Sequence, residues 1–105
     1  MAETPRYGHP RIEMHNKGKP GYFNARGDFC FEETEKGLVL WLAIPMKREG
    51  NPEAYVHSKW TIDHKNECGA SWKWTGDAAK PTLSPSLHAV GVWHGWVRDG
   101  YLVEA

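Results

Sequence analysis

The chain has 105 residues, 40% hydrophobic and 25% charged, and its thirteen basic side chains balance thirteen acidic ones. That length supports a single domain with a modest core. Zero net charge leaves no global field to collect polyanions, which argues against both a general nucleic-acid binder and an acidic mimic of nucleic acid.

Residues 1–20 hold three prolines, two glycines and no apolar period, and read as an extended or flexible N-terminal arm. No basic-then-apolar leader opens the chain. A β-rich domain is predicted over residues 21–105. Within Asp28 to Glu32, Phe29 and Phe31 share one face of a strand while Asp28, Cys30 and Glu32 take the other. Glu33 to Gly37 is a polar turn. Gly37 to Pro45 (GLVLWLAIP) is a continuous apolar run, the mark of a strand covered on both sides and the centre of the predicted core. The longest apolar stretch, Leu38 to Met46, is far too short for a membrane span.

Asn51-Pro52-Glu53 has the chemistry of a helix start, so a short helical turn is allowed for there. Beyond it, Val56, Ser58, Trp60 and Ile62 alternate with polar residues as in a strand. Asp63 to Gly69 is a loop, and Trp72 and Trp74 share a face of the next strand, which the Thr75-Gly76-Asp77 turn closes. Pro81 and Pro85 keep Ala78 to Ser86 out of a central ladder, so this stretch is an edge or a crossing loop. Leu87 to Val92 is a short strand. Trp93 to Val97 and Tyr101 to Val103 flank Arg98-Asp99-Gly100 as a C-terminal β-hairpin. Frequent short strands with turn signals predict an all-β fold, a small sandwich or open barrel.

Six histidines and two cysteines raise the question of a metal. The ligand types of His57, His64, Cys68, His88 and His94 suit zinc, but no C-x2-C knuckle and no helical H-x3-H occurs. The expectation is no cofactor, with zinc as the exception to test. Cys30 and Cys68 are too few for a disulfide framework and are expected as reduced thiols. Nucleophilic catalysis has little support, because Ser84 and Ser86 sit beside prolines and no G-x-S-x-G elbow exists. Trp72, Trp74, Trp93 and Trp96 are candidate binding rings for sugars or bases. On a regular strand, however, Trp93 and Trp96 fall on opposite faces, so core packing is the competing reading.

The run Trp72-Lys73-Trp74-Thr75-Gly76-Asp77, then Pro81-Thr82-Leu83-Ser84-Pro85-Ser86, then Trp93-His94-Gly95-Trp96-Val97-Arg98-Asp99-Gly100, forms an ordered three-part motif. It resembles a family of small phage and prophage proteins with the pattern W-x-W-x-G-[DN], P-T-[FL]-[ST]-P-S and [CW]-H-x-[FW]-[VI]-x-[DN]-G. The resemblance covers about 30 residues. Many members of that family carry a C-P-x-C knuckle and a later Cys-His pair, which implies a zinc site. This chain departs from both, with Glu33 three positions after Cys30 and Trp93 before His94. The resemblance therefore implies a reduced or lost zinc site, for which Cys30, Cys68 and His94 are the candidate metal ligands.

These readings point to a non-catalytic interaction module of phage or prophage origin acting in the host cytoplasm. Its expected roles are an accessory virion component or an inhibitor of a host defence enzyme, with a protein partner and a homodimer through the edges near Pro81 and Pro85. Two other classes stay open. One is a small metal- or thiol-dependent hydrolase using His94 with Cys30 or Cys68. The other is a carbohydrate- or nucleotide-binding module using exposed tryptophans.

Overall fold

The apolar run around Leu40 organises the first of two sheets in the computed structural model, which describes residues 11–105. Asp28–Thr34 (β3) and Gly37–Pro45 (β4) form an antiparallel hairpin, and Tyr55–Thr61 (β5) pairs with the other edge of β4. Because β4 is central, its alternate residues serve two faces. Leu40, Leu42 and Ile44 enter the main core, while Ala43 packs with Phe23 and Cys30 on the opposite side beneath Trp41 and Tyr55. The continuous apolar pattern thus has the cause expected of it. Phe29 and Phe31 also divide from Cys30 as their alternation requires.

The second sheet runs in the order β1-β10-β9-β8, with Arg11–Glu13 (β1), Leu87–Ala89 (β8), Trp93–Arg98 (β9) and Tyr101–Glu104 (β10). The predicted C-terminal hairpin is β9-β10. Arg98 pairs with Tyr101, and both loop residues, Asp99 and Gly100, have positive φ (48° and 81°). That is the turn whose twist matches antiparallel strands, and it explains the Asp-Gly sequence. A small two-stranded hairpin, Lys73–Thr75 (β6) with Thr82–Ser84 (β7), closes one side, with β7 lying against β9.

Both four-stranded sheets feed one core. Phe29, Leu40, Leu42, Ile44 and Trp60 come from the first, and Leu87, Trp93, Val97 and Leu102 from the second. The fold is an all-β sandwich. Of the arm expected over residues 1–20, residues 1–10 lie outside the described residues. The next stretch is built into both sheets: β1 pairs antiparallel with β10, Met14 is buried at the crossing, and His15–Asn16 (β2) pairs parallel with β3. At Asn51 the helical start resolves to successive turns, with Asn51 N donating to Arg48 O and Ala54 N to Asn51 O. The helical turn among the described residues is a 3-10 segment at Pro20–Tyr22 instead. Among the described residues no helix is long and apolar enough to cross a membrane.

Candidate functional site

Strand alternation sorts β9 into two sets. Trp93, Gly95 and Val97 face the core, where Trp93 and Val97 are buried. His94, Trp96 and Arg98 therefore share the other face. Gly95 is required by this packing: a Cβ there would collide with the Trp93 ring and with the carbonyl oxygen of Val103. The β8-β9 register pairs Leu87 with Gly95 and His88 with His94, so His88 stands on the same outer face as His94. Ser86 lies one residue before β8. Continuing that register sets it opposite Trp96 and diagonal to His94, within reach of a side-chain contact.

The contact is made. His94 Nε2 lies 3.3 Å from Ser86 Oγ, and both residues are half-buried. This is the geometry of a serine hydroxyl beside a general base, at the looser end of the range that such pairs show without substrate. The His88 ring leans on His94 with centroids 4.7 Å apart and planes at 36°, and the Trp96 ring lies 6.1 Å away at 30°. The imidazole thus has two ring neighbours. Among the described residues no carboxylate bonds to it, so the arrangement is a serine–histidine dyad.

Ser86 is itself anchored. Its carbonyl oxygen accepts a hydrogen bond from Trp72 Nε1 at 3.3 Å, and the Trp72 ring packs edge-on against Trp60 at 4.9 Å. On the far side, Asp99 N donates to Thr82 Oγ1 (2.8 Å) and Gly100 N to Pro81 O (3.0 Å), which clamps the start of the Thr82–Ser86 segment to the β9-β10 turn. Between these anchors opens a cleft of about 280 Å³, lined by Thr82 to Ser86, Trp96 and Arg98. The site therefore brings a hydroxyl, an imidazole and a concave surface together at Ser86.

The residues singled out from the sequence are placed differently. Trp72, Trp93 and Trp96 are only 6–7% exposed, and Trp74 is half-buried against Phe31 with centroids at 4.3 Å. A stacking platform made of all four rings is corrected on this ground, since three of them present no open face. The three candidate ligands do not assemble either. Cys30 is buried against Phe23 and Ala43, Cys68 is exposed in the loop after β5, and His94 faces Ser86. Among the described residues no group of three or more His, Cys, Asp or Glu could hold a metal ion. Burial, and then the nearby Glu32 carboxylate, push the Cys30 thiol up from its ordinary range, which further removes it from nucleophilic chemistry.

Ser86, which the sequence analysis sets aside for its flanking proline, is the hydroxyl that the fold places beside His94. A usable signal was present in period two. Ser86-x-His88 and His94-x-Trp96-x-Arg98 put their polar and aromatic residues on one face once a hairpin is centred on Gly91.

Comparison with known families supplies an independent finding. Residues 55–105, slightly under half of the chain, match the model of a family described as bacterial ubiquitination-like system serine protease (BubE). No curated protein and no solved structure gives a significant match. The matched stretch contains Ser86, His94 and the whole cleft. The match overturns the expectation of a non-catalytic phage-encoded module, because the family it names is enzymatic. The thiol version of the hydrolase reading is corrected as well, since the partner of His94 is a serine hydroxyl.

Proposed function

We propose that this protein is a serine peptidase in which Ser86 is the nucleophile and His94 the general base. The observation that carries this reading is the His94 Nε2 to Ser86 Oγ contact beside the cleft, within a segment similar to a serine protease family. In the chemical step, His94 takes the hydroxyl proton as Ser86 Oγ attacks the scissile carbonyl. The protonated ring then gives that proton to the leaving amine, and water hydrolyses the resulting ester by the reverse relay. His88 and Trp96 hold the ring plane while it alternates between its two protonation states. The matched family is described as the serine protease of a bacterial ubiquitination-like system, and this supports testing a ubiquitin-like protein joined to another polypeptide as the substrate.

The test is cleavage of a bacterial ubiquitin-like protein fused through its C-terminus to a reporter. The wild type is expected to release the reporter. Ser86→Ala should fall to background, and His94→Ala should lose about a hundredfold to ten-thousandfold, the usual worth of a general base. Undiminished cleavage by Ser86→Ala would refute the assignment.

A further inference from the structure

The cleft beside Ser86 ends in a cation that the described residues leave unpaired. Arg98 is half-buried, its Nε is buried without a hydrogen-bond partner, and no ion pair of the described residues engages it. A buried Nε–H without an acceptor costs stability, and the cost is recovered when a carboxylate enters and accepts the guanidinium N–H groups. The neighbouring carboxylate does not serve: Asp99 is exposed, and its Oδ1 lies 3.3 Å from the Thr82 hydroxyl. Arg98 shares the outer face of β9 with His94 and Trp96, and it lines the same cleft as Ser86.

Resting on the serine-peptidase reading, we infer that Arg98 is a specificity residue that captures a carboxylate of the peptide substrate, with the buried Trp96 ring forming the apolar wall between it and the reacting bond. The register that sets Ser86 diagonal to His94 sets it equally diagonal to Arg98, a backbone separation of about 7–8 Å. An extended substrate advances about 3.3–3.6 Å per residue. The recognised carboxylate therefore lies about one to three residues from the scissile bond, once the reach of the arginine side chain is allowed for. It belongs either to an Asp or Glu side chain or to the terminus of a short chain, and both offer the same planar acceptor to the guanidinium.

The experiment uses the whole protein and peptide series in which Glu, Gln or Leu is stepped through the four positions on each side of the cleaved bond. A parallel pair ends in a free carboxylate or an amide. Wild type should favour Glu over Gln at one position, or the free terminus over the amide, by about tenfold or more in kcat/KM, the scale of a charge-assisted hydrogen bond. Arg98→Gln should bring that ratio to near one, and Arg98→Lys should keep part of it. An uncharged fluorophosphonate, which offers no carboxylate to Arg98, should still label Ser86 in all three proteins. Labelling without any carboxylate preference in the wild type, or a preference that survives Arg98→Gln, overturns the role of Arg98 and leaves the nucleophile standing. No labelling of Ser86 removes both. Should Arg98→Gln fail to fold, the Arg98→Lys ratio and the fall of the wild-type preference with added salt decide the matter.

Discussion

A hydroxyl at neutral pH is a poor nucleophile, and what separates Ser86 from other serines of this chain is its neighbourhood. Ser58 shows the contrast: its hydroxyl donates to the Leu42 carbonyl and accepts from Trp60 Nε1, so both roles are spent on structure. Ser86 instead meets a histidine and an open cleft. The two thiols differ in a similar way. Cys68 is exposed, whereas Cys30 is 1% exposed and its thiolate is disfavoured by burial and by Glu32. Raising a thiol's pKa lowers its thiolate fraction at any pH below that value. One thiol per chain should therefore react promptly with Ellman's reagent at pH 8, and Cys68→Ala should abolish that phase. The second equivalent should appear only on denaturation; two fast equivalents in the native protein would contradict this burial.

At the scale of elements, strand β9 does two jobs with its two faces. Its inner residues close the core, and its outer residues present His94, Trp96 and Arg98. Gly95 joins the two, because the Trp93 ring and the Val103 carbonyl occupy the space of its missing side chain. Gly95→Ala should overpack this contact, costing about 1–3 kcal/mol of stability. The displaced strand should also lower the reactivity of Ser86, measured by labelling well below the melting temperature. Leu40→Ala, at a fully buried position of the central strand, should cost about 2–5 kcal/mol in denaturant unfolding without altering reactivity in the folded protein. Strands of this kind were legible beforehand. Uninterrupted apolar residues in β4 and the Asp-Gly turn of β9-β10 carry their structural reason in the local sequence. The dyad was harder, because it depends on the register between β8 and β9. That register is fixed by packing and by the turn around Gly91, and a one-residue slip would send Ser86 and His88 to the core face. The strapping of both sheets by β1 and β2 was equally hidden, since so short a proline-flanked stretch has no period of its own.

For the whole molecule, the sandwich supports the outer sheet face that carries Ser86 and His94, and in the proposed function that face is the reaction surface. The core pins β8 and β9 through Leu87 and Val97, the Trp72 indole holds the Ser86 carbonyl, and the β9-β10 turn clamps Pro81 and Thr82. Precise placement of few groups is what a dyad needs where, among the described residues, no carboxylate bonds to the ring, and the ring contacts of His88 and Trp96 contribute to that placement. The most direct measurement is the mass of the intact protein after exposure to a fluorophosphonate, followed by mapping of the modified peptide. The account predicts a single adduct on Ser86, formed far more slowly in His94→Ala and absent in Ser86→Ala. An adduct at another serine, or none in the folded wild-type protein, would contradict it.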